Sequence, residues 1–161
     1  MYSWRVTKYN PLHRDDNGSY KIKDEWTSYS DIGSKVSEEE YLETEDKYIN
    51  AVLSFMNEMN IDKLYLKDLE LHSDGVVEQN ASSFMLTMWL GKGVSKREIK
   101  ELIKLTLRES IWCSLSYKKK FSVHFGYDYY MYIGAANDCP KASTKVITSG
   151  LFVEEFSLKY I

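Results

Sequence analysis

The chain of 161 residues has two cysteines, three histidines and two prolines. It has no stretch approaching the roughly 18 consecutive apolar residues that a membrane span needs. With so few thiols, reduced Cys113 and Cys139 are the expectation, a disulfide between them being the alternative. The N-terminal MYSWRVTKYNP lacks an apolar core of the signal-peptide kind, so a cytoplasmic protein with no membrane partner is expected. The chain contains no H-E-x-x-H, C-x-x-C or G-x-S-x-G and no glycine-rich phosphate loop. DDNG at 15–18 begins like a calcium loop, but the later ligands do not follow, and it reads as a turn. These absences leave no metal or cofactor to expect. A nucleophile pair of Cys113 or Cys139 with His124 is a weak alternative that any such composition permits.

What the chain does have is tyrosine and an uneven distribution of charge. Thirteen tyrosines contribute to an aromatic content of 14%, and tyrosine suits interfaces as well as cores. The net charge of −3 conceals 9 Lys and Arg against 17 Asp and Glu in residues 1–90, but 12 against 7 in residues 91–161. Nine of the carboxylates fall between Asp24 and Asp46, with Lys35 the one base among them. Such a segment repels nucleic-acid phosphate and attracts a basic protein. Asp24, Glu25, Trp26, Tyr29, Asp31, Glu38, Glu39, Glu43 and Asp46 are therefore the candidate partner-binding residues. The competing explanation is a solvated helix face.

Periodicity supplies the elements. Residues 2–9 alternate as a strand with Trp4 and Val6 inward and Ser3, Arg5 and Thr7 outward. SYKIKDEW suggests a second extended piece. Ser37 with Glu40 has the form of a capping box and opens a helix to about Asn60, its apolar face running from Tyr41 through Tyr48, Val52 and Met56. Leu64, Leu66, Leu69 and Leu71 give a strand with a slip in phase near Asp68, followed by a turn at Asp74-Gly75. SSFMLTMWLG fits strand or helix, and its alternation and lack of caps favour strand. Ser95 with Glu98 caps a second long helix, basic on its outer side. IWCSLSY is a strand, and FSVHFGYDYYMYIG is one long or bulged strand, or else a hairpin. PKASTKVITSG is a short helix ended by Gly150, and LFVEEFSLKYI a final strand. One α+β domain over 1–161 is expected, with five to seven mainly antiparallel strands against two long helices and one short C-terminal helix.

Within FSVHFGYDYYMYIG, parity divides the residues. Phe121, Val123, Phe125, Tyr127, Tyr129, Met131 and Ile133 form an apolar stripe, while Ser122, His124, Gly126, Asp128, Tyr130 and Tyr132 face the other way. His124, Asp128, Tyr130 and Tyr132 are the alternative site, a pocket for a small ligand or for acid–base chemistry, with Tyr127 and Tyr129 beside it. His124 and Asp128, four apart on a strand, cannot touch without a bulge at Gly126.

The runs WRVTKYNP (4–11), DEWTSYSDIG (24–33), VHFGYDYYMYIG (123–134) and GLFVEEF (150–156) together resemble a family of small uncharacterised bacterial proteins, mainly of Firmicutes. Proteins of this size and character are similar to the immunity proteins of polymorphic or contact-dependent toxin systems. That resemblance implies a cytoplasmic, acidic, single-domain inhibitor of a cognate basic toxin domain, such as a nuclease. It carries over no functional residue. A second copy of the chain, its basic helix meeting this acidic segment, is the other partner considered.

Overall fold

The computed structural model describes residues 1–21, 27–126 and 129–156. Among the described residues seven antiparallel strands form one open sheet: β1 (Tyr2–Thr7), β2 (Lys63–Leu71), β3 (Gly93–Ser95), β4 (Ile111–Tyr117), β5 (Phe121–Phe125), β6 (Met131–Ala135) and β7 (Phe152–Glu155), in the spatial order β3-β2-β4-β5-β6-β1-β7. The helices are α1 (Glu38–Glu58), α2 (Ser73–Glu78), α3 (Ser82–Leu86), α4 (Lys96–Leu107) and α5 (Pro140–Thr148). The α+β architecture is the one expected, with α2 and α3 additional.

The two long helices begin where their caps put them. The Ser37 hydroxyl accepts the Glu40 N–H, and Ser95 with Glu98 forms a reciprocal capping box. α5 has no side-chain cap of its own from Cys139. Instead the carboxylate of Glu58, the last residue of α1, accepts the N–H groups of Lys141 (2.8 Å) and Ala142 (3.2 Å). The end of one helix thus satisfies the start of another, and the negative charge meets the positive end of a helix dipole.

FSVHFGYDYYMYIG is a hairpin, not a single strand: β5 pairs with β6 from Phe121↔Ala135 to Phe125↔Met131. This register sets odd positions opposite odd ones, so the division by parity survives the turn. Phe121, Val123, Phe125, Met131 and Ile133 are buried, while Ser122, His124, Tyr130 and Tyr132 are half-buried on the other face. Gly126 makes no bulge within a strand. Its N–H donates to the Tyr130 carbonyl (2.8 Å) to close the hairpin. A Cβ there would lie 2.9 Å from Tyr132 Cε2, which explains the glycine. Tyr127 and Asp128 lie outside the described residues.

The apolar face receives α1 and α4. Trp4 meets Phe55 of α1 at 4.9 Å, and Cys113 meets Thr106 of α4 at 3.4 Å. β2 slips in register between Leu66 and Asp68, as its leucine spacing indicates. Thr7, expected outside, is fully buried, because the chain turns back and Tyr9 donates its N–H to the Thr7 hydroxyl (3.3 Å).

Two further expectations are corrected. SSFMLTMWLG forms α3 and a turn, because its buried residues Met85 and Met88 continue from Ala81 in steps of four and three, a helical period. Asp74-Gly75 lies inside α2, where a Cβ on residue 75 would come within 2.9 Å of the Ser110 Cα. The second extended piece leaves only an isolated bridge between Arg14 and Tyr20, and residues 22–26 lie outside the described residues.

Candidate binding surface

Glu39, Glu43 and Asp46 recur at four and three residues along α1 and form one exposed stripe, with Glu38 and Leu42 forming the next. Among the described residues no lysine or arginine pairs with these four carboxylates. Glu45, in contrast, turns inward. Its carboxylate takes Nε and Nη2 of Arg108 at 2.9 and 3.0 Å, and Arg108 Nη1 donates to Gln79 at 2.8 Å. Burial alone would lower the Arg108 pKa, but the hydrogen bonds and charge of Glu45 outweigh it and leave it raised.

That internal pair shapes a groove of about 580 Å³ among Tyr29, Glu38, Leu42, Glu78, Arg108 and Glu109. The Arg108 guanidinium lies over the Tyr29 ring at 4.9 Å, while Tyr41 meets the same ring edge-on at 5.3 Å. Because Glu45 already answers Arg108, the carboxylates of Glu38, Glu78 and Glu109 leave the groove negative. Tyr29 is thus a wall. Asp31 is committed to its own turn, accepting the Ser28 N–H at 2.8 Å. Asp24, Glu25 and Trp26 lie outside the described residues.

Glu109 borders a second, larger cleft of about 770 Å³ lined by Glu70, His72, Trp112, His124, Phe125 and Tyr130 among others, with no lysine or arginine among the described residues that line it. Trp112 Nε1 donates to the Phe125 carbonyl at 3.0 Å. The indole is held in place, and His124 meets it edge-on at 5.5 Å. Burial lowers the His124 pKa, with Asp68 opposing and Lys67 adding to the effect. His72 Nδ1 lies 2.8 Å from the Glu109 carbonyl and its Nε2 lies 3.5 Å from Glu70.

The alternative site is thereby redrawn. His124 and Tyr130 share this cleft, whereas Tyr132 stands in a row that crosses six strands: Asp68, Ser114, His124, Tyr132, Arg5 and Glu154 are successive cross-strand partners. The carboxylate placed toward His124 comes from Asp68, hydrogen-bonded to the intervening Ser114 hydroxyl. The sequence reading paired His124 with Asp128, which lies outside the described residues, because nothing local signals a partner on another strand. At the far end Glu154 holds Arg5 and Arg14 together, the latter at 2.7 and 2.9 Å. Tyr129 is pinned from three sides. Its hydroxyl donates to the Leu107 carbonyl (2.8 Å) and accepts the Tyr29 N–H (3.0 Å), and its carbonyl accepts the Tyr48 hydroxyl (2.6 Å).

A Cys113–His124 nucleophile pair is ruled out by the sheet, which places the Cys113 side chain on the helix-covered face and His124 on the other. Burial pushes the Cys113 thiol up to about 11. Both cysteines are free. Among the described residues no group of three or more His, Cys, Asp or Glu is placed to hold a metal ion, and no helix is long and apolar enough to cross a membrane. A further groove, about 1020 Å³, has a basic lining, with Lys67, Lys118 and Lys119 beside Ser116, Ser122 and one carboxylate, Glu155, and it reaches Phe156, where the described residues end.

Sequence reading missed Glu78, Glu109, Glu70 and Trp112. It counted acids along one segment, whereas these residues come from α2, from the end of α4, from β2 and from β4. Comparison with models of protein families, with curated proteins and with solved structures finds no match.

Proposed function

We propose that this protein is a non-catalytic, immunity-type inhibitor that binds a basic protein partner, a cognate toxin domain such as a nuclease, through the acidic surface centred on α1. One observation carries this reading. Carboxylates from three separate segments, Glu38, Glu78 and Glu109, converge on a groove with Leu42 and Tyr29, and among the described residues no free base lines it. Carboxylates steer a basic partner into contact, and aromatic and aliphatic side chains supply the area that holds it. Leu42, 39% exposed between Glu39 and Glu43, gives the charged stripe an apolar centre.

The test is co-expression with the toxin domain encoded beside the gene. The wild type should protect cells, and the Glu38→Lys/Glu43→Lys/Glu78→Lys variant should fold and fail to protect. Absence of any neighbouring toxin gene, or full protection by the reversed variant, would sink the proposal. The second reading, a small-ligand protein, draws on the cleft at His124 and Tyr130. A ligand-dependent rise in melting temperature that His124→Ala abolishes would favour it.

A further inference from the structure

From the geometry of the second cleft we infer that it is a socket for a guanidinium group, presented by an arginine of the bound partner. The inference rests on the partner-binding reading only for the source of that arginine.

The lining decides the chemistry. Trp112 offers aromatic surface, His124 adds a second ring, and Glu70 and Glu109 provide the formal charge. The Tyr130 ring already carries the guanidiniums of Arg5 and Arg14, at 5.3 and 5.4 Å, so Trp112 is the wall left for an incoming cation. An anion would face two carboxylates, and the described residues that line the cleft include no lysine or arginine, their basic groups being His124 and His72, the latter 3.5 Å from Glu70. A cation gains from both kinds of wall, from the carboxylates by charge and from the ring faces by cation–π attraction. The indole N–H of Trp112 is already bonded to the Phe125 carbonyl, so the indole contributes its surface and not a donor. Between ammonium and guanidinium, the planar group stacks on an indole while still presenting paired N–H donors to a carboxylate.

An independent feature marks the same place. Glu109 follows α4 at the position where the helix closes on itself: Ser110 N–H returns to the Leu105 carbonyl at 3.0 Å, and Glu109 has φ of 60°. Glycine suits that left-handed position best. A glutamate there is unfavourable for the backbone, so its side chain has another use, and it borders both the groove and the cleft. Tyr129, also in the lining, is left-handed too, with φ of 65°, as are Asn60, Asn80 and Lys118 elsewhere. Such residues gather at binding sites more than elsewhere.

The full chain is titrated with N-acetyl-arginine amide, N-acetyl-lysine amide and the uncharged isostere N-acetyl-citrulline amide while the Trp112 indole N–H is followed by NMR, assigned through Trp112→Phe. A lone guanidinium should saturate with a dissociation constant of about 1–10 mM, the range of a single weak contact, and at least about tenfold more tightly than lysine or citrulline. Glu70→Gln should weaken it by about tenfold, and Glu38→Gln, in the other groove, should leave it unchanged. No saturable shift, equal binding of lysine or citrulline, or indifference to Glu70→Gln overturns the socket. If arginine amide binds but Glu70→Gln leaves affinity for the toxin domain intact, the arginine is not the partner's, and that assignment falls. Failure of the inhibitor reading shows separately, because Glu38→Lys/Glu78→Lys alters toxin binding without touching the cleft.

Discussion

Glu45 in the middle of α1 grips Arg108, the residue that ends α4, through two hydrogen bonds of 2.9 and 3.0 Å, with the side chains only 5% and 12% exposed. This pair locks the two long helices together and lets the acidic groove stay acidic, because Arg108 is neutralised from within. Removing one partner strands a buried charge. Glu45→Gln and Arg108→Met should each cost about 3–5 kcal/mol, whereas Glu45→Leu/Arg108→Met together should cost distinctly less than the sum. Urea denaturation of the three variants measures this, and additive losses would mean that the pair is not coupled.

The left-handed backbone at Glu109 predicts an exchange of stability for binding. Glu109→Gly should raise stability by about 0.5–1 kcal/mol by relieving φ at the helix end, and should weaken association with a basic partner. Thermal melts and a binding titration on the same sample decide it. A melting temperature that falls would show that the Glu109 side chain supports the fold.

Tyr129 links three segments, and its pKa is pushed up to about 12, chiefly by burial. Tyr129→Phe keeps the ring but leaves the Leu107 carbonyl and the Tyr29 N–H without their partner. The expected loss is about 1–3 kcal/mol, read from chemical denaturation. Loosening of the Tyr29 wall should also weaken partner binding through the groove.

The two faces of the hairpin should respond differently. Ile133→Ser, on the wholly buried face, should cost about 4 kcal/mol or more. Tyr130→Ser and Tyr132→Ser, both half-buried on the other face, should leave a cooperatively folded protein. Circular-dichroism melts test the contrast, and unfolding by the tyrosine changes alone would reverse the faces.

Lys8 gives a pH signature. Burial lowers its pKa from 10.5 to about 8, against a smaller opposing effect of Asp31, and its ammonium donates to the Thr27 carbonyl at 2.8 Å. Between those two values the unfolded chain holds a proton that the folded chain has released, so the contribution of this residue to stability rises with pH across that window. The stability of the wild type relative to Lys8→Met should therefore increase from about pH 7.5 to about pH 10. A flat or falling difference in urea titrations would contradict the shift.

Periodicity and caps were enough to place most elements, because each depends on neighbours within four residues. Ser37 and Ser95 mark helix starts through their own hydroxyls, and the leucines of β2 reveal their slip through local spacing. Local reading failed for SSFMLTMWLG, where an alternating pattern and a helical one share the same apolar letters and only burial of Met85 and Met88 decides between them. It left the 121–134 stretch open between a bulged strand and a hairpin, although the parity of its faces was right, since an even register preserves parity through a turn.

The sequence by itself determined the α+β class, the two capped helices, the acidic character of α1 and the division of the hairpin into a core face and a polar face. These follow from short-range chemistry and composition. Only the tertiary structure decided which acids act together. It turned Glu45 inward to Arg108, committed Asp31 to a turn, set Asp68 in the row with His124, and gathered Glu38, Glu78 and Glu109 from α1, α2 and the end of α4. Charge acts through space, and the chain brings those three carboxylates to one groove only by packing its helices against the sheet.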